Sequence, residues 1–251
     1  MKAISGGRLV ILSGPSCVGK TPISKALARF YPELSARLHN LLLYNSRSPR
    51  PGEVDGVDYH FRTRTQIESL RSDGRYALIE VRSDLQALDV EELAALLERG
   101  DVLYEGSTYV GCELLRHPRL EGVGRLSVFV SPLSREEILY LKAPERKVSL
   151  PELVTDMMRR KLMRRTRRLK QELTLKELED IERRAASAYR EMLEAWRFQH
   201  VIANHDGEDS DNWEAFYYLI GDARNTVETF AALLNGDTPS SAEKWEQELL
   251  P

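Results

Sequence analysis

Gly14-Pro15-Ser16-Cys17-Val18-Gly19-Lys20-Thr21 has the spacing G-x-x-x-x-G-K-[ST] of a P-loop. Glycines in such a loop let the backbone turn tightly and come close to anionic oxygens. Successive N–H groups, followed by a helix N-terminus, make a cradle for phosphate. Lys20 is placed to reach the β- and γ-phosphates of a nucleoside triphosphate, and the Thr21 hydroxyl to ligate Mg²⁺. A second group follows in residues 45–61. Arg47 and Arg50 could grip another phosphate bidentately, with the Tyr59 hydroxyl as a third contact. The competing reading is a solvated loop with two ordinary surface arginines. A third group is RRKLMRRTRRLK at 159–170, with eight basic residues in twelve. Arg160, Arg164 and Arg168 are four apart and share one helix face; Lys161 and Arg165 form a neighbouring row. On charge alone this run is a solvated basic face or a nucleic-acid footprint.

These residues need elements to hold them. Leu9-Val10-Ile11-Leu12 has the length and apolar content of a buried strand leading into the P-loop. A helix follows to about Phe30, with Pro22 tolerated in its first turn and Pro32 as a stop. Leu41–Tyr44 reads as a second buried strand. Two prolines and two glycines make 45–61 a structured loop. Thr65 and Glu68 have capping-box spacing for a short helix, and Tyr76–Val81 reads as a strand. Asp89, with Glu92 three residues on and Gly100 beyond, brackets a helix. Val102–Ser107 and Leu126–Val130 read as further strands. Residues 142–150 look insertional, and helical pattern resumes at Pro151. Thr174 and Glu177 cap a helix running to about Phe198, and another helix spans about Asn212–Leu234. Residues 236–251 are polar, with Pro and Ser, and read as a loose tail. The expected class is α/β, a mostly parallel sheet flanked by helices.

Composition narrows the class. With 251 residues, 42% apolar and 30% charged, the chain can build a real core. A net charge of −3 gives no global reason for a nucleic-acid or membrane partner. Cys17 and Cys112 cannot form a disulfide framework, which suits a reducing cytoplasm. No apolar run of about 18 residues predicts a membrane span, and the N-terminus lacks the apolar region of a signal peptide.

Taken together, GPSCVGKT and YNSRSPRPGEVDGVDYHF resemble the guanylate kinase family, whose members carry GPSGxGK[ST] and then a loop like SxTTRxPRxGExxGxDYxF. The match is specific over about 7–61. The resemblance implies a P-loop kinase with a parallel-sheet core, a nucleoside-monophosphate-binding part and a mobile lid. By it, residues 1–234 form the domain, with the core at about 1–43, 101–140 and 200–234. The acceptor part lies at 44–100 and the lid with a helical insertion at 141–198; 235–251 is the tail.

The resemblance also implies roles. ATP and Mg²⁺ bind at 14–21, with Asn204 near the adenine. Arg47, Arg50 and Tyr59 hold the phosphate of a small acceptor, GMP foremost. Glu80, Glu105 and Ser107 are the candidate base contacts. It offers the basic run a further reading, as a lid whose Arg164 and Arg168 act with Lys20 on the transferring phosphoryl group, and makes Arg184 a further lid candidate. The sequence departs from the family at three places. Leu43 replaces a base-contacting serine, Ser107 replaces the second acid of an acidic pair, and 81–89 lacks a Tyr-Gly-Ser/Thr element. These keep open a kinase of another nucleotide or of ribose 1,5-bisphosphate, and a non-catalytic binding module.

Overall fold

A computed structural model describes residues 6–50, 52–170, 172–215 and 217–251. Part of the N-terminus read for a signal peptide, Pro51 in the second loop and Phe216 in the expected last helix lie outside the described residues. In chain order the elements begin with β1 (Leu9–Ser13), α1 (Lys20–Phe30), α2 (Pro32–Ser35), β2 (Leu38–Asn40), β3 (Tyr44–Asn45) and β4 (His60–Phe61). They continue with α3 (Arg64–Ser69), β5 (Tyr76–Val81), β6 (Asp84–Asp89), α4 (Val90–Leu97), β7 (Asp101–Gly106) and α5 (Thr108–Arg116). The last are β8 (Arg125–Ser131), α6 (Arg135–Leu141), α7 (Leu150–Leu169), α8 (Leu175–Met192), β9 (His200–Ala203) and α9 (Gly221–Asn235). One sheet has the order β2-β7-β1-β8-β9 and a smaller one β4-β3-β6-β5. The α/β class expected from the sequence is the class observed. The chain divides into two units, Met1–Ile11 with Arg37–Leu126 and Leu12–Ala36 with Ser127–Pro251.

In the first unit β2 runs parallel to β7. The expected strand at Leu41–Tyr44 is not one strand. The Leu41 N–H donates to Leu103 O, extending the β2–β7 ladder, whereas Leu43 O accepts from His60 N beside β3. The apolar run is the crossover between two sheets, with Leu41 and Leu43 buried and Leu42 and Tyr44 half-buried. The short helix is α3, and its capping box is Thr63 with Gln66, two residues earlier than read. Residues 82–89, given no strand from sequence, form the turn and second arm of a hairpin with β5. Arg82 takes the left-handed conformation at that turn. Leu85 and Ala87 point to one face, where Ile67, Tyr44, Leu70 and Leu78 pack on them. Asp89 caps α4 as expected, accepting from the N–H groups of Glu91 and Glu92.

In the second unit β8 and β9 pair in parallel, and Phe129 packs on Phe198 with ring centroids 5.5 Å apart. α8 ends at Met192, short of Phe198, with a 3₁₀ turn at Ala195–Arg197 between. The helix expected over Asn212–Leu234 is split into a 3₁₀ turn, Asp211–Trp213, and α9 from Gly221. Val227, Phe230 and Leu234 give α9 one apolar stripe, fully or almost fully buried.

The stretch read as a loose tail is packed. Glu243 and Val201 exchange two backbone hydrogen bonds of 2.7 Å, and the Tyr189 hydroxyl donates to Pro251 O. Trp245, Leu249 and Leu250 are buried. Three apolar side chains in a polar segment gave too weak a period to read. Trp245→Ala is expected to cost about 3–5 kcal/mol. A urea titration reads this as a lower midpoint at unchanged slope, and an unshifted midpoint would show that the tail is merely laid down on the surface. No helix of the described residues is long and apolar enough to cross a membrane.

Candidate active site

The donor cradle lies in the second unit. β1 delivers the loop and α1 begins at Lys20, so the helix N-terminus faces the position an anion would take. Gly19, the helix N-cap, has φ 105°, and a side chain there would strike the Asn204 amide. Lys20 is buried, and its ammonium donates to Gly14 O at 2.9 Å and Pro15 O at 2.7 Å. Cys17 is fully buried in the left-handed region with φ 67°. Burial raises its pKa well above the ordinary value, helped by the charge of Glu208. Thr21 is exposed in the first turn of α1. No three His, Cys, Asp or Glu among the described residues could hold a metal ion by themselves. A hydroxyl without a protein cage suits Mg²⁺ that arrives with phosphates and keeps most of its waters.

Asn204 follows β9 and is fully buried. Its Nδ2 donates to Val18 O at 2.7 Å and to Asp206 O at 2.8 Å, and its Oδ1 accepts from Asp206 N. It therefore braces the P-loop from behind. Lid candidates Arg164 and Arg168 lie on α7. Arg164 pairs with Asp209 at 2.7 Å and Arg168 with Asp211 at 2.9 Å. Lys161, read from sequence as part of the neighbouring basic row, donates from its ammonium to His205 O. Arg184 is buried on α8, with Asp180 3.5 Å away. Arg159, Arg160 and Lys170 pair with Glu182, Asp156 and Glu177. Much of the basic run is thus matched by carboxylates of its own unit rather than forming a bare positive stripe.

Beside the cradle, His205 is held between Glu137 of α6 at 2.9 Å and Asp222 of α9. Burial alone would lower the histidine pKa, but the Asp222 hydrogen bond and the Glu137 charge outweigh it and raise it. A raised histidine pKa stabilises the fold below its unfolded value of about 6.5 and loses that contribution as pH rises through the folded value. His205→Gln should flatten the stability profile between about pH 6 and 8, measured by thermal melts across pH. A profile that stays parallel to wild type would remove His205 as its source.

The acceptor cluster lies in the first unit, on the loop between β3 and β4. Glu53, missed from sequence, is its organiser. Its carboxylate takes both Arg47 Nη atoms, at 2.5 and 2.7 Å, and the Arg50 N–H at 2.7 Å. The Arg47 guanidinium also lies 5.1 Å from the Tyr59 ring centroid and 5.4 Å from that of Phe61. Burial would raise the Glu53 pKa, but the Arg47 hydrogen bonds and the Arg50 N–H hold it below the usual range. Burial raises the Tyr59 pKa against the charges of Arg47 and Arg50, and Glu105 is close enough for its charge to act on Tyr59. Arg47, Arg50 and Tyr59 are therefore brought together around Glu53 and the Arg47 guanidinium.

Glu80 and Ser107 are used otherwise. Glu80 is exposed and paired with Arg64 of α3 at 2.5 Å. Its register partner is Leu85, so it shares the face that α3 covers. Ser107 caps α5, its hydroxyl accepting from Val110 N, and its carbonyl accepts from the Tyr104 hydroxyl. Leu43 is buried, 1% exposed.

A phosphate cradle at the end of a central parallel strand and a helical arm of cations define a P-loop α/β protein. The family model for guanylate kinase matches residues 6–86. A guanylate kinase of Alkalilimnicola ehrlichii is 31% identical over 202 residues, covering 80% of this chain and 82% of that protein. One of Nitratidesulfovibrio vulgaris is 31% identical over 204 residues, covering 80% and 81%. A solved guanylate kinase of Anaplasma phagocytophilum shares the fold, with a TM-score of 0.55 at 17% identity, over 98% of this chain and 94% of that one. The chain belongs to the guanylate kinase family. The family model ends at residue 86, inside the hairpin arm that lacks the Tyr-Gly-Ser/Thr element.

Proposed function

We propose that this chain transfers the γ-phosphoryl group of ATP to the phosphate of GMP, giving GDP and ADP. The observation that carries the reading is that a family member of this kind keeps both halves of the chemistry. It has a P-loop with its lysine in place, and Arg47 and Arg50 bonded to one carboxylate with Tyr59 against the Arg47 guanidinium. The P-loop N–H groups and Lys20 hold the donor phosphates and neutralise charge that spreads over the phosphoryl oxygens. Thr21 would hold Mg²⁺, which supplies further charge neutralisation when bound. Arg164 and Arg168 are the lid cations for the same charge. Arg47 and Arg50 orient the acceptor phosphate, which is itself the nucleophile, so positioning replaces a strong general base. Lid closure excludes water as a competing acceptor.

The test is ADP release from ATP and Mg²⁺ against GMP, dGMP, AMP, CMP, UMP, dTMP and ribose 1,5-bisphosphate. GMP-dependent turnover is the expected result. Turnover with another acceptor and none with GMP would show that the phosphate grip is retained while the base site is rebuilt. Buried Leu43 and the capping role of Ser107 make that comparison informative, because a missing polar base contact costs several powers of ten in discrimination.

A further inference from the structure

The acidic turn after β9 is built to stay in place and to touch the donor cradle. The Asp206 carboxylate accepts from Ser210 Oγ at 2.7 Å, Asn212 Nδ2 at 3.0 Å and Ala223 N at 3.0 Å. Trp213 Nε1 donates to the carbonyls of Asp206 and Gly207 at 3.0 and 2.9 Å. This frame presses Gly207 onto the P-loop so closely that a Cβ there would collide with the Cys17 carbonyl oxygen. The next two residues, Glu208 and Asp209, carry negative charge beside the P-loop, where both act on the Cys17 thiol. Asp209 is 5% exposed; its Oδ2 takes Arg164 Nε at 2.7 Å, and its buried Oδ1 has no hydrogen-bond donor.

A buried carboxylate at this place repels donor phosphates and holds a cation that they attract. We propose that the Gly207–Asp209 turn is a built-in competitor for the donor phosphates, with Asp209 as a positioning residue that holds Arg164 until the nucleotide takes it over. Donor affinity is then set by an exchange of anions on one guanidinium. The lid role of Arg164 rests on the function proposed above, but the exchange is tested without the acceptor.

The experiment is calorimetric binding of a non-hydrolysable ATP analogue with Mg²⁺ to wild type, Asp209→Asn and Glu208→Gln, with a thermal melt of each. Asp209→Asn should bind about tenfold more tightly, and in turnover its KM for ATP should fall while its KM for the acceptor stays fixed. Glu208→Gln should shift in the same direction by less, and serves alone if Asp209→Asn melts at assay temperature. Weaker or unchanged binding by the folded variants would overturn the proposal. Weaker binding would mean that Asp209 orients Arg164 for the nucleotide. Wild type that binds the analogue but phosphorylates no acceptor would count against the proposed function and leave the exchange measurable. Wild type that binds no analogue would overturn both.

Discussion

Lys20→Met should lower kcat for ADP release by about a thousandfold, the scale for removing one preorganised charge from a transition state. Methionine keeps the length and apolar stem of the buried lysine, so the loop loses an ammonium rather than its packing. That ammonium donates to two carbonyls of its own loop, Gly14 and Pro15. Those contacts already place it within the cradle and cost little to exchange for phosphate oxygens, which carry full charge. The assay is ADP release at saturating ATP and acceptor, with a melt to show that the variant is folded. A variant within tenfold of wild type would mean that the lysine only shapes the loop, and the phosphoryl-transfer reading would then lack its central cation.

Arg47→Ala should raise the acceptor KM by about a hundredfold and also destabilise the protein by about 3 kcal/mol. The first effect is loss of a charge-assisted, bidentate contact to phosphate. The second follows from Glu53, whose side chain is 19% exposed and Arg47's 12%. Removing one member of a largely buried pair leaves the other charge poorly compensated. The double variant Arg47→Ala, Glu53→Ala separates the two effects. Stability should recover in part, because no stranded carboxylate remains, while the acceptor KM stays high. If the double variant recovers both, Arg47 is structural and the acceptor phosphate is held elsewhere. Arg47→Lys should fail on KM although its charge is kept, since an ammonium cannot reproduce the two-pronged geometry.

The parts legible in the sequence are those whose chemistry is local. The P-loop spacing, the strand before it and the helix after it are dictated within a few residues by glycine conformations, a β-branched apolar run and a helix start. They appear where they were read. The Asp89 cap of α4 and the Thr174–Glu177 box of α8 are equally local, because a side chain there bonds the backbone two or three residues away. Arg47, Arg50 and Tyr59 could be named together since one short loop carries all three.

Contacts between distant segments were decided by the tertiary structure. Nothing near Leu41 says that its apolar run passes from one sheet to another; that depends on Leu103 and on His60. Glu80 sits in the expected strand, but strand alternation and the placement of Arg64 send it to the α3 face. Asn204 had the expected position after the last strand, yet Val18 and Asp206 take its amide. Within the basic run all arginines are chemically alike. Only packing distinguishes Arg164, which meets Asp209 forty-five residues on, from Arg160, which meets Asp156 within its own helix. The physical reason is the same in each case. A backbone conformation or a cap is chosen by neighbours in sequence, whereas the partner of a long charged side chain is chosen by whichever distant segment folding brings within about 3 Å.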